Sequence, residues 1–217
     1  MNLLDFARGA VMKWSIAIFL FGMLWRLFGM LLLRRTHDYS EPRVHAAGLG
    51  ALRGIIRRSW PRREFQARTA YGVTVSYVFH IGLAIVVFGF VPHILFIRNL
   101  VGVGWSGLPG GIIYFCAVIT LVALVMAIVR RLTHPVLKLL SNFDDYFSWF
   151  VTAAPVVTGL LAAGHYGGRY EDLLAVHILS FELLLIWFPF GKLMHSVLLF
   201  LARGRTGAVY GRRGAST

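Results

Sequence analysis

Five long apolar runs, separated by more polar segments, set the pattern of the chain. They cover residues 14–33, 71–97, 112–129, 146–163 and 173–201. Each run is long enough, as a helix, to cross about 30 Å of hydrocarbon. The pattern therefore predicts an all-α integral membrane bundle of five transmembrane helices in a single membrane domain, residues 1–217. The first run is too long for the core of a cleaved signal peptide, so we expect it to remain as helix one.

Composition and charge then orient the bundle. Of the 217 residues 58% are hydrophobic and 14% are charged, and the mean hydropathy is +0.70, which indicates lipid as the solvent. The net charge of +13 comes mostly from the segments after helices one, three and five. The positive-inside rule places these segments and the C-terminus in the cytoplasm and the N-terminus outside. Basic residues of this kind contact the lipid bilayer, and no nucleic acid partner is expected. The cytoplasmic set is Arg34, Arg35, Arg43, Arg53, Arg57, Arg58, Arg62, Arg63, Arg68, Arg130, Arg131, Lys138, Arg203, Arg205, Arg212 and Arg213, against Arg8, Lys13, Arg98 and Arg169 outside.

Two polar connections have a local structure of their own. The basic cytoplasmic loop 34–70 contains apolar residues spaced for a short helix at the membrane surface. Such a helix is either an interfacial anchor or a docking surface for a cytoplasmic partner. Before helix four, Asn142 and Asp145 predict a capped N-terminus. The apolar residues of the loop are Leu49, Leu52, Ile55, Ile56 and Trp60.

Histidines supply the candidate chemistry. Four of the eight, His37, His45, His134 and His165, fall in polar loops, where a solvated side chain is expected. The other four fall within predicted spans, where an ionisable residue calls for a functional hypothesis. They are His80 and His93 on helix two and His177 and His195 on helix five.

The depths of these four histidines match in pairs. On one continuous helix, His177 and His195 are about five turns apart and share a face. Helix two runs in the opposite direction, so His80 pairs with His195 on the inner side, and His93 pairs with His177 on the outer side. Facing imidazoles at one depth are what bis-histidine ligation of a haem iron requires. On a straight helix His80 and His93 point about 220° apart, so the outer pair depends on a bend at Pro92.

The alternatives to haem stay open at this point. Zinc would need a tetrahedral cluster at one level instead of separated pairs. A single intramembrane histidine is as often a hydrogen-bonded helix contact as a ligand. Four histidines at matching depths favour two haems, of which the inner one is the firmer prediction.

The residues around the inner pair, His80 and His195, resemble those of a known protein family. Phe79-His80-Ile81-Gly82 and the string from Phe188 to His195 resemble the cytochrome b subunit of respiratory nitrate reductase, the gamma subunit, over roughly residues 70–205. The resemblance implies that His80 and His195 ligate the inner haem and that His177 ligates the outer one. Ten residues after His80, where that subunit has its second helix-two histidine, this chain has Phe90, and His93 is the local substitute. The chain therefore looks more like the wider gamma-subunit-like family, whose members serve heterodisulfide-reductase-like, sulfur-metabolising and other complexes.

Four further charged groups lie in or beside the spans. Arg26 and Lys192 lie toward the cytoplasmic end, where each either contacts a propionate of the inner haem or extends to the interface. Arg98, just beyond the outer histidine, is a candidate contact for a haem propionate or a quinone carbonyl. Glu182 is about 140° around helix five from His177. It is a proton relay, a quinol contact, or a protonated or hydrogen-bonded packing contact.

These features predict a di-haem cytochrome b subunit of a respiratory oxidoreductase in the bacterial or archaeal cytoplasmic (inner) membrane. Two b haems would carry electrons between the quinone pool and a cytoplasmic iron–sulfur or other redox subunit. Substrate chemistry is expected on that partner, because this chain has no nucleotide loop and no nucleophile with a base. Its one cysteine, Cys116, excludes a disulfide or an iron–sulfur cluster of its own. Two alternatives are a proton-coupled transporter or channel that uses the histidines as titrating groups, and a haem-free structural anchor.

Overall fold

The structure, a computed structural model, describes residues 2–33, 39, 41–43 and 47–215. Over these residues the fold is all-helical, and no strand occurs in them. Predictions that concern Arg34, Arg35, His37 and His45 lie outside the described residues. The helices are α1 (Leu3–Phe6), a π-helical turn (Ala7–Val11), α2 (Met12–Leu31), α3 (Ala47–Arg57), α4 (Gln66–Gly89), α5 (Val91–Val101), α6 (Gly110–Thr133), α7 (Pro135–Leu140), α8 (Phe143–Gly164), α9 (Tyr170–Trp187) and α10 (His195–Arg212).

The membrane-spanning potential of these helices agrees with the prediction of a multi-pass protein. Four helical stretches are long and apolar enough to cross a bilayer, namely Leu3–Leu31, Arg63–Gly89, Gly110–Thr133 and Phe143–Gly164. A broken pair, Tyr170–Trp187 with Lys192–Arg212, makes a fifth when it is counted as one span. The first stretch begins at Leu3, whereas the prediction began it at residue 14. Asp5, Arg8 and Lys13 interrupt the apolar pattern there, so the pattern did not indicate the first turns.

Two of the predicted helices are not continuous. Helix two, predicted over 71–97, ends at Gly89; Phe90 is extended (φ −80°, ψ 124°), and α5 begins at Val91 with a proline in its first turn. A proline ring has no N–H for the preceding turn, so the helix restarts there. Helix five, predicted over 173–201, ends at Trp187, and α10 begins only at His195. The prediction that His177 and His195 share a face of one straight helix is therefore wrong in its premise.

The chain forms two compact units, each described here by itself. Unit one comprises Met1–Ala17 and Ala70–Trp187, and unit two comprises Ile18–Thr69 and Phe188–Thr217. Within unit one, α8 packs against α6 and α9. Leu124, Ala153 and Val156 form the buried core, and the Trp149 indole donates to Leu124 O at 2.8 Å. The single membrane domain over residues 1–217 stays a prediction.

The start of α8 confirms the predicted cap. The Asn142 side chain accepts from Asp145 N, and the Asp145 carboxylate accepts from Asn142 N at 3.0 Å, which forms a capping box. Arg131, at the end of α6, forms an ion pair of 2.8 Å with the same carboxylate. These bonds satisfy main-chain donors that a helix start leaves without partners.

Unit two is built on a contact between glycines of α3 and α10. Gly50 and Gly54 of α3 are buried against Gly207 and Gly211 of α10. A Cβ atom at Gly54 would lie 2.6 Å from the Cα atom of Gly207, so the two backbones touch. The spacing of four residues in both helices allows this close approach.

The glycine contact makes a paired prediction for stability. Gly54→Ala places a methyl group against main-chain atoms of α10, which cannot move aside as a flexible side chain would. We expect the free energy of unfolding of the purified protein to fall by about 1–3 kcal/mol. Gly48→Ala is the matched control, since no atom lies within 4 Å of a Cβ there, and higher helix propensity should stabilise it by roughly 0.5–1 kcal/mol. Thermal unfolding in detergent measures both, and equal shifts in the two variants would contradict the contact.

Candidate functional site

The four predicted ligand histidines have one feature in common, which is an oxygen acceptor beside Nδ1. A carbonyl oxygen can only accept, so the ring nitrogen next to it must carry the proton. The partners are Ser76 O for His80 at 2.7 Å, Val86 O for His93 at 3.0 Å, Thr158 Oγ1 for His177 at 3.2 Å and Lys192 O for His195 at 2.7 Å. In each ring Nδ1 is thus engaged by the chain, as the non-ligating nitrogen is in most metal-binding histidines.

The outer pair, His93 and His177, lies together in unit one. Their ring centroids are 6.0 Å apart and their planes are inclined by only 21°. The break at Phe90 allows the two rings to approach each other. It separates α5 from α4, so that the His93 ring reaches back to the carbonyl of Val86, seven residues earlier. Both rings are half-buried.

Thr158 on α8 positions the ring of His177. Its hydroxyl donates to Ala154 O at 2.8 Å, so the same oxygen accepts from His177 Nδ1. Ser180 Oγ lies 3.0 Å from it and completes a small polar network inside the helix bundle. Gly159, the next residue, leaves room for the ring, since a Cβ there would lie 3.0 Å from His177 Cε1. Neither Thr158 nor Gly159 was predicted as a site residue, and the only signal in the sequence was two small residues side by side in an apolar helix.

The centroid separation of the outer pair matches the one expected for two imidazoles bound to one metal ion. Metal–imidazole bonds of about 2 Å to two Nε2 atoms place the ring centroids roughly 6 Å apart. Bis-histidine ligation requires the fixed Nδ1–H tautomer that Val86 O and Thr158 impose. Within the part of the chain that the structure describes, no group of three or more His, Cys, Asp or Glu side chains is arranged to hold a metal ion.

His195 lines a cavity of about 350 Å³ in unit two. Arg26 and Lys192, both predicted to contact haem propionates, line the same cavity. The rest of the wall is mainly apolar and is formed by Gly191, Met194, Leu198, Leu199 and Ala202. Two cations beside an apolar wall and an imidazole suit a flat, apolar ligand with anionic groups at one edge, which is the chemistry of haem.

His80 lies on α4 in unit one, and His195 lies at the start of α10 in unit two. The Phe79 ring lies 4.0 Å from that of His80, centroid to centroid. The pairing of His80 with His195 stays a prediction. Arg98, in the last turn of α5, is exposed, and its side-chain carbons lie beside Gly104.

The described loop histidines differ from these four. His134 precedes α7 at an extended position, and His165 ends α8 in the left-handed conformation (φ 57°) with its ring stacked 4.9 Å from that of Tyr170. Both are exposed, as expected for solvated side chains.

Glu182 is buried on α9 with 2% of its surface exposed. Among the residues that the structure describes, neither carboxylate oxygen has a hydrogen-bond partner, and the buried hydroxyl of Ser15 also has none. A buried polar group without a partner costs about 1–3 kcal/mol. This carboxyl is therefore either a destabilising element of the core or a functional group whose cost is tolerated.

A pair of substitutions measures what Glu182 costs. Glu182→Leu removes the unsatisfied oxygens at similar volume, and we expect it to stabilise the purified protein by about 1–3 kcal/mol. Glu182→Gln, the matched control, keeps polar atoms at the same position and should give a smaller gain. Thermal unfolding followed by circular dichroism reports both. Destabilisation by Leu that is larger than by Gln would mean that the carboxyl makes a favourable buried contact.

Fold and composition define a multi-pass, all-helical membrane protein. A protein of Nitratidesulfovibrio vulgaris (strain Hildenborough) is 33% identical over 220 residues, which cover 98% of this chain and 96% of that protein. The chain belongs to the same family as this relative, whose printed name, "Protein", states no activity. No family model matches the chain, and no solved structure does.

Proposed function

We propose that this chain is a di-haem cytochrome b subunit of a respiratory oxidoreductase. In this role it carries electrons between quinone in the membrane and a cytoplasmic redox partner, such as an iron–sulfur subunit. The N-terminus lies outside and the C-terminus in the cytoplasm of a bacterial or archaeal cell, as the positive-inside rule predicts. The resemblance to the nitrate reductase gamma subunit-like family supports the same role.

The observation that carries the proposal is the pair His93–His177. The two imidazoles are half-buried and come from different helices. Their ring centroids are 6.0 Å apart and their planes are nearly parallel. Each has its Nδ1 held by an oxygen of the chain. A packing contact alone does not require that Nδ1 of both rings be held in this way.

The inner site rests on separate observations in the two units. In unit two, His195 shares a cavity with Arg26 and Lys192, and in unit one, His80 has its Nδ1 fixed by Ser76 O. His80 and His195 are the proposed ligands, and the two cations neutralise the propionates. Arg98 remains a candidate contact for a propionate or a quinone carbonyl at the outer site.

The chemistry divides between cofactor and protein. A b-type haem held by two imidazoles exchanges single electrons. The protein residues fix the ring tautomers and supply compensating positive charge. Thr158 and the main-chain oxygens hold the imidazoles, and the apolar side chains around them keep the local dielectric low. Substrate chemistry takes place on the partner subunit.

Visible spectroscopy tests the proposal on the purified chain. The dithionite-reduced minus oxidised spectrum and a pyridine haemochrome assay should give two b haems per chain. We expect His177→Ala to lose one of them and His195→Ala to lose the other, because each removes an axial ligand. His93→Ala decides whether His93 is the fourth ligand. His134→Ala, an exposed loop histidine, is the control and should keep both haems; a wild-type chain without haem would overturn the proposal.

Thr158→Val tests how the outer ligand is positioned. Valine keeps the shape but removes the acceptor for His177 Nδ1–H, so the imidazole becomes a weaker electron donor. The midpoint potential of the outer haem should rise by on the order of tens of millivolts, with the inner haem unchanged. Thr158→Ser should restore the wild-type value. In Thr152→Val, the control, the lost hydroxyl donates to Ser148 O of the same helix, and a shift as large as that of Thr158→Val would contradict the assigned role.

One observation favours the alternative of a proton-coupled transporter or channel. Glu182 is a buried carboxyl with no hydrogen-bond partner in the described part of the chain, which suits a group that gains and loses protons inside a membrane. A transporter that uses the histidines as a relay would be colourless. The same spectrum therefore separates the two functions.

A further inference from the structure

Helix α3 has two different faces. Gly50 and Gly54 are buried against α10, whereas the opposite side of the helix carries exposed apolar side chains among the described residues. That side carries Leu49, Leu52 and Ile56, which recur at the three- and four-residue spacing of one helix face. Between 50% and 63% of their surfaces is exposed. Trp60, just beyond the helix, is 64% exposed and extends this apolar stripe, which consists of Leu49, Leu52, Ile56 and Trp60.

Bonds on the other side hold α3 in place. Arg203 of α10 donates to Ser59 Oγ at 3.1 Å, and that hydroxyl donates to Ile55 O at 2.8 Å. The guanidinium of Arg58 lies 5.4 Å from the ring centroid of Tyr210. The apolar stripe is therefore presented outward by a fixed pair of helices.

Positive charge surrounds the stripe. Unit two contains 15 of the 22 Lys and Arg residues but only three of the nine Asp and Glu residues, so it carries +12 of the net +13. Arg53, Arg62 and Arg63 are exposed next to the stripe. An occupant of this face must be apolar at its centre and anionic around it.

We propose that the apolar stripe of α3 is seated in the surface of the bilayer, where the surrounding arginines bind anionic phospholipid headgroups. Leucine, isoleucine and tryptophan on one face, with arginines at its edge, form the pattern of an interfacial helix. The helix to which α3 is fixed, α10, belongs to the broken candidate span Tyr170–Trp187 with Lys192–Arg212. Lipid is therefore at hand for this face, and the assignment does not depend on haem.

Spin-label accessibility tests where the stripe lies. A nitroxide is attached at Leu52→Cys in the full chain, in a Cys116→Ser background, in nanodiscs of equal parts phosphatidylcholine and phosphatidylglycerol. Immersion predicts collisions with dissolved oxygen and protection from a water-soluble nickel chelate. A label at Gly168→Cys, in an exposed loop, is the control and should show the reverse. Free access of the nickel chelate to residue 52 would overturn the proposal, and so would exclusion of both reagents, which indicates cover by protein.

The arginines are tested by charge-matched variants. Arginine near an anionic surface contributes about five-fold in affinity, so Arg53→Gln with Arg62→Gln should weaken phosphatidylglycerol binding by at least ten-fold. Native mass spectrometry of the detergent-solubilised full chain, with phosphatidylcholine as reference, measures this. The control, Arg8→Gln with Arg169→Gln, removes the same charge from exposed positions of unit one. An equal loss in both variants would overturn the specific role of the α3 arginines.

Discussion

The hydrogen bond from histidine Nδ1 to an oxygen of the chain is the interaction on which the candidate site depends. Inside a bilayer neither an imidazole N–H nor a main-chain carbonyl finds water, so each must be satisfied by the protein. The Nδ1–H groups of His93 and His195 donate to main-chain carbonyls beside helix interruptions, namely Val86 O and Lys192 O. One bond thus satisfies two polar groups and fixes the orientation of the ring. Without it, a ring that rotates freely has no defined ligand atom.

The interruptions themselves follow from residues that cannot continue a helix. Pro92 follows one break, and Pro189 lies inside the other, between α9 and α10. Pro92 predicts a bend from the sequence, because His80 and His93 would otherwise point about 220° apart on a straight helix. Pro189 was seen only as part of a motif, so helix five was predicted as continuous. Both prolines indicate a break in the sequence. Only Pro92 led to a predicted bend, because a straight helix there conflicted with the predicted histidine pairs.

Other parts of the fold show the same difference. Features that depend on neighbours in the sequence were predicted, and contacts between segments far apart in the chain were not. Apolar runs and the Asn142 cap depend on neighbours in sequence, and they predicted the spans and the start of α8. Thr158 depends on which residue of α9 lies opposite it, and the contact between Gly54 and Gly207 joins segments far apart in the chain. Small residues are common in membrane helices for several reasons. Their pattern alone therefore did not identify a partner.

The distribution of charge links the site to its surroundings. Unit one, which contains His93 and His177, is nearly neutral, whereas unit two carries almost all of the net charge. A redox centre in a nearly neutral, apolar environment has its potential set mainly by its ligands and their hydrogen bonds. A centre beside Arg26 and Lys192 also responds to those two cations, which favour the reduced state by attraction. A haem bound there would therefore have a higher potential than the same site without Arg26 and Lys192.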